Sequence, residues 1–184
     1  DKQLFTVHFN FSRQRLFDLL LEKGSMPIPL YIKHSPLKEQ ELREKYQTIF
    51  AHKDGSAAAP TASLHFTEKV FQKLKTKHIP HHFITLHVGM GTYAPIHATN
   101  IKKKKLHNEW YEISQQVKQK IEKMRVEGRE LVAVGTTVVR MLESLANHKS
   151  QTMNKTDLFI YPPYKFKMVD SMITNFHLPE SSLM

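Results

Sequence analysis

The chain has 184 residues, 40% hydrophobic and 24% charged, with no cysteine. That suits one soluble domain of ordinary size, or one domain and part of another, and it excludes disulfides and thiolate metal sites. No apolar run approaches the ~20 residues of a membrane span, and no signal-peptide pattern opens the chain. The net charge of +10 points to a polyanion, because lysines and arginines facing phosphates gain affinity by releasing counterions. The plainer alternative is a solvated basic surface.

In chain order, Leu4–Phe9 predicts a short strand from its β-branched and aromatic content. Ser12 caps a helix from Arg13 to about Glu22, and Gly24 stops it. Met26–Ile32 is too rich in proline for a central strand or a helix and reads as an extended connector and a domain seam. Residues 37–46 form a charged amphipathic helix. Thr67 caps another helix, to about Lys77. His82–Val88 reads as a strand that runs into the Gly89-Met-Gly91 turn. After the Lys102–Lys105 run, Leu106–Ile113 extends as a strand, and Ser114 caps a long helix to Glu127. Leu131–Val134 is a buried strand, Gly135-Thr-Thr137 a tight turn into a helix over Val138–Ala146, and Leu158–Ile160 a last strand. The β-α-β rhythm from residue 82 onward predicts an α/β fold, a mixed sheet with parallel pairs and flanking helices.

Two segments carry chemistry. Gly55–Thr67 and Thr85–Tyr93 each mix small residues, hydroxyls and one histidine into apolar sequence. A core needs neither the glycines nor the histidines, and a solvated loop would not keep the leucines. Such a mixture suits backbone that approaches a ligand closely beside a titratable group. In open α/β sheets ligands bind off the carboxyl ends of strands. Val88-Gly-Met-Gly-Thr92 and Val134-Gly-Thr-Thr137 both fit that rule. The second is also a ready anion site, or simply a capped helix N-terminus.

Histidines 65, 87 and 177 each sit between apolar residues, as does His8 in a plain strand. They are candidate bases or structural hydrogen bonders, and no histidine or glutamate spacing supports a metal site. Tyr161-Pro-Pro-Tyr164 is either a stacking loop or a surface turn. Lys102–Lys105 is either a phosphate contact or a solvated charge run. Arg140 and Glu143, one turn apart, and Asp157 read as ordinary charges unless the fold places them in a cleft.

Seven runs together resemble one family, the S-adenosylmethionine:tRNA ribosyltransferase-isomerases of queuosine biosynthesis. They are Tyr46-Gln-Thr, Gly55–Thr67, Thr85–Tyr93, His107-x-Glu-Trp, Val134-Gly-Thr-Thr with Arg140-x-Leu-Glu-Ser144, Thr156–Pro162 and Ile173–Pro179. Ser63 and Pro163 stand where the family commonly has glycine, and Lys104 where it often has histidine.

The resemblance implies an α/β domain interrupted by a β-barrel, in a protein of roughly twice this length. Residues 1–24 would be the barrel's tail and a connecting helix, and residues 25–184 the carboxyl-terminal portion of the α/β domain. It implies transfer and isomerisation of the ribosyl part of S-adenosylmethionine onto 7-aminomethyl-7-deazaguanine at the tRNA wobble position. Epoxyqueuosine forms, and adenine and methionine leave. It also implies a cytoplasmic monomer that uses no metal.

Such a reaction needs a base of near-neutral pKa and strict positioning. The candidates for catalysis are His65, His87, His177 and Asp157. Gly89, Gly91, Thr92, Tyr93, Gly135, Thr136, Thr137, Arg140 and Tyr161 are the candidates for S-adenosylmethionine. Lys102, Lys103, Lys104, Lys105 and Tyr164 are the candidates for tRNA. The competing classes are a non-catalytic basic tRNA-binding module and a conventional methyltransferase. The methyltransferase would want a glycine-rich loop after a first strand, which this sequence lacks.

Overall fold

The computed structural model describes residues 6–29, 32, 34–89, 96–147 and 153–177, with positions 147, 153 and 154 by backbone alone. The chain falls into two compact units, Asp1–Glu44 and Lys45–Met184.

In the first unit, helix α1 (Arg13–Lys23) starts where Ser12 Oγ accepts the Arg15 N–H at 3.2 Å, and Gly24 closes it. Helix α2 (Glu39–Lys45) begins beside the proline-rich stretch, and Glu39 accepts the Met26 N–H at 2.7 Å. The strand expected near the amino terminus is absent from residues 6–9, where Val7 and Phe9 are exposed. A lone strand leaves its backbone groups without partners, and β propensity cannot substitute for one.

The second unit holds the core. A 3₁₀ turn (Thr61–His65) leads into α3 (Glu68–Thr76). Strand β1 (Thr85–His87) is shorter than the run read from sequence. Helix α4 (Ala98–Lys103), β2 (Lys105–Glu112) and α5 (Gln115–Val126) follow. Next come β3 (Val132–Val134), α6 (Thr136–Asn147), β4 (Met153–Leu158) and β5 (Ser171–Ile173).

These strands make two sheets. One is wholly antiparallel, in the order β1-β2-β4, and the other is the parallel pair β3-β5. The mixed α/β class holds, but the β-α-β rhythm does not extend to β1–β2. Those two strands pair antiparallel, with Thr85 opposite Glu112 and His87 opposite Trp110. Strand β4 shares only Leu158 with the predicted Leu158–Ile160, since it begins five residues earlier and ends there.

Between sheet and helices lies a core of Tyr111, Ile113, Ile121, Ala133, Val139, Met141, Leu142 and Leu145. Strand β2 decides what enters it. Its odd residues Glu109 and Tyr111 are buried, while Trp110 is 47% exposed. That is the period-2 alternation of a strand with one covered face.

Candidate functional site

The two histidine-bearing segments meet. The Ala57 N–H donates to Val88 O at 2.8 Å, and the Val88 N–H donates to Ser56 Oγ at 3.0 Å. Gly55 has φ +125°, and a Cβ there would stand 2.9 Å from His87 Nδ1. Only glycine gives both that backbone and that closeness. Lys53 crosses the same face to reach both oxygens of Glu112, at 2.7 and 2.6 Å.

His87 is half-buried on β1. His65, by contrast, ends the 3₁₀ turn and is exposed. Gly89 is exposed, with open space around it. Gly91, Thr92 and Tyr93 lie outside the described residues.

A second group gathers where β3 and β5 end. Gly135, at φ +99°, donates its N–H to Ile173 O at 2.8 Å, and its carbonyl accepts the N–H groups of Val138 and Val139 to open α6. Thr136 and Thr137 are half-buried at that helix N-terminus. His177 follows β5, and partial burial holds its imidazole below the usual histidine range, so the neutral form is favoured. Both strands run into this corner, as the carboxyl-end rule expects.

Arg140 lies inside the fold. Its Nη1 donates to Glu109 Oε2 at 2.6 Å, its Nε to Leu158 O at 3.0 Å and its Nη2 to His107 O at 3.3 Å. Burial pushes its pKa down, while Glu109 and then Asp157 hold it up. One turn on, Ser144 Oγ donates to Arg140 O at 2.7 Å and bonds Thr156 Oγ1.

The Glu143 carboxylate is fully buried. It accepts the Tyr164 hydroxyl at 3.1 Å and the backbone N–H groups of Lys167, Met168 and Val169 at 3.0, 2.9 and 3.0 Å. Burial, reinforced by the bond to Glu143, pushes the Tyr164 hydroxyl up to about 12.

Arg140 therefore clamps β2 and β4 to α6, and Glu143 holds the segment after the two prolines. Tyr161, half-buried, packs on Phe159 with centroids 5.1 Å apart.

The four lysines are exposed. Lys102 and Lys103 end α4, Lys104 closes it at φ +53°, and Lys105 opens β2. Lys105 Nζ lies 2.6 Å from Asp157 Oδ2, so this candidate catalytic carboxylate has a cation beside it. Ser63 is buried without positive φ, so this position makes no demand for glycine.

Among the described residues no group of three histidine, aspartate or glutamate side chains could hold a metal ion. Nor is any described helix long and apolar enough to cross a membrane.

Sequence reasoning gave no role to Glu109, Glu143 or Trp110. The alternation along β2 was the signal for the first and last of these. Glu143 left no such trace, because the segment it holds lies twenty-odd residues away.

The queuosine biosynthesis protein family matches over residues 1–184. The S-adenosylmethionine:tRNA ribosyltransferase-isomerase of Thermotoga petrophila is 47% identical over 90% of this chain and 49% of its own length. The protein of the same name from Vesicomyosocius okutanii is 50% identical over 95% of this chain and 51% of its own length. The chain thus spans about half the length of these relatives. A crystal structure of S-adenosylmethionine tRNA ribosyltransferase from Thermotoga maritima superposes with a TM-score of 0.51 at 40% identity, covering 66% of this chain and 38% of that one. With the family matched from end to end and the fold shared, this chain belongs to the queuosine biosynthesis protein family.

Proposed function

We propose that the full-length protein transfers and isomerises the ribosyl moiety of S-adenosylmethionine onto 7-aminomethyl-7-deazaguanine at the tRNA wobble position, in the cytoplasm and as a monomer. Adenine and methionine are released. The observation that carries this reading is the joining of Gly55–Ala57 to His87–Val88, which sets a half-buried imidazole against close-approaching backbone within a chain of this family.

The reaction asks the protein for little covalent chemistry, because a sulfonium already acidifies the adjacent C5′ protons. It asks for a base, for positioning and for charge complementarity. Of the two leading histidines, His87 is the better-placed proton acceptor, since it is half-buried close to the Gly55 backbone whereas His65 faces solvent. His177, kept neutral by partial burial, is a second candidate, placed after the β5 end that Gly135 bonds. Asp157 ranks behind both, because its carboxylate is already engaged in an ion pair with Lys105.

Gly89, Gly91, Thr92, Tyr93, Gly135, Thr136, Thr137 and Tyr161 are the residues assigned to backbone and aromatic contacts with S-adenosylmethionine. Lys102, Lys103 and Lys104 face tRNA phosphate, and Lys105 does so while sharing its charge with Asp157. Arg140 and Tyr164 act by positioning, since their polar groups are already engaged inside the fold.

The test is product analysis of the full-length protein with S-adenosylmethionine and tRNA bearing the aminomethyl base. Free adenine and methionine are expected. S-adenosylhomocysteine would instead mean methyl transfer, and no turnover would leave a tRNA-binding module. His87→Ala should cut adenine release at least about 100-fold, the lower end of a general base's contribution, with folding retained. Near wild-type turnover would remove His87 as the base.

A further inference from the structure

The outer face of the antiparallel sheet carries a row of which these roles use only His87. His87 on β1, Trp110 on β2 and Lys155 on β4 are successive cross-strand partners. Directly opposed residues point to the same face, so the three side chains form one line across the sheet. Two inter-strand spacings make that line about 10 Å long. Trp110 is 47% exposed, and Lys155 Nζ stands 4.1 Å from its ring centroid.

Burial uses only part of this large indole on the outer face of a short sheet. What it offers is a flat π surface. The Lys155 ammonium lies over it, an imidazole stands beside it, and the chain's net charge is +10. An aromatic ring with cations alongside is how single-stranded nucleic acid is held: the base stacks and the phosphate pairs with the cation.

We infer that Trp110 is a stacking platform for a nucleobase of single-stranded RNA, with Lys155 turning from the ring to the neighbouring phosphate as the base arrives. The inference rests on the proposed function for the identity of that RNA, a loop base of the tRNA substrate. A nucleobase of RNA fits the row better than the adenosine of S-adenosylmethionine does. Lys155 repels the sulfonium and attracts a phosphodiester, and His87, in the same row, places the stacked base next to the candidate proton acceptor.

Trp110 is the only tryptophan of these 184 residues, so its emission reports the contact. In the full-length protein, the difference in emission between wild type and Trp110→Phe isolates its signal. Titration with an anticodon stem-loop RNA should quench that signal, and S-adenosylmethionine alone should leave it unchanged. Trp110→Ala should weaken RNA binding about tenfold or more, the usual scale for one stacked base. Trp110→Phe, which keeps an aromatic face and the fold, should retain most of the affinity, and KM for S-adenosylmethionine should not move in either variant.

Unchanged Trp110 emission at saturating RNA overturns the inference. So does quenching by S-adenosylmethionine alone, or wild-type RNA affinity in Trp110→Ala. The two readings fail separately. Adenine release with a silent Trp110 sinks the platform and keeps ribosyl transfer, whereas RNA-dependent quenching with S-adenosylhomocysteine as product does the reverse.

Discussion

The two faces of the β1-β2-β4 sheet use charged and aromatic residues in opposite ways. On the inner face Glu109 meets Arg140, and Glu143 on the same helix takes up the backbone of 167–169, all within the interior. Those charges are consumed by the fold. On the outer face His87, Trp110 and Lys155 line up across three strands, and Trp110 keeps much of its surface open. One residue of offset along β2 separates the two uses. A charge inside a cleft-like network is thus no sign of a ligand, whereas an aromatic residue where burial does not require one is.

The comparison is broken most severely from the inside. Arg140→Met removes the guanidinium from buried Glu109 and should lower stability by about 3–5 kcal/mol, measured by urea unfolding. A loss below about 1 kcal/mol would mean that water already reaches the pair. Glu143→Gln keeps the shape but offers one good acceptor oxygen to four donors. It should cost about 1–3 kcal/mol, the scale of an orphaned buried donor.

The same anchor carries a pH signature. Tyr164 has its pKa raised, from 10.0 to about 12, so its contribution is fully present below pH 10 and is lost as pH rises through about 12. An alkaline unfolding midpoint unaltered by Tyr164→Phe would detach the hydroxyl from the anchor. The smallest stability effect is expected on the outer face. Gly55→Ala forces a strained φ and a shift of the His87 ring, at a cost of about 1 kcal/mol. Its effect on adenine release should exceed that cost, and equal losses would make Gly55 merely structural.

Much of this was legible in the sequence. Ser12 and Ser114 announced their helices because a cap is a local device, complete within a few residues. The Gly55 and His87 segments stood out because glycine and histidine are out of place in plain core, but their joining through Ala57 and Val88 is a long-range contact that neither segment spells out. The antiparallel pairing of β1 and β2 was not legible, since strand direction depends on what lies between and beside the strands. Nor was the fate of Arg140 and Glu143. Their spacing describes one face of α6 and says nothing of which loop returns to it. The Lys102–Lys105 run looked featureless, yet Asn100 accepts the His97 N–H at 3.0 Å and donates to Lys105 O at 2.9 Å, turning a charge run into a folded corner.

The Glu143 cradle has a consequence for how this segment can vary. Three successive backbone N–H groups converge on one carboxylate, much as backbone nests hold bound anions. Main-chain donors exist at every position except proline, so the anchor itself asks nothing of the side chains at 167–169, although Met168 and Val169 also pack against the core. What cannot drift is the count of residues between the Tyr164 hydroxyl and those amides. The anchor measures chain length and is blind to side-chain chemistry. Insertions just there should be purged more strictly than substitutions.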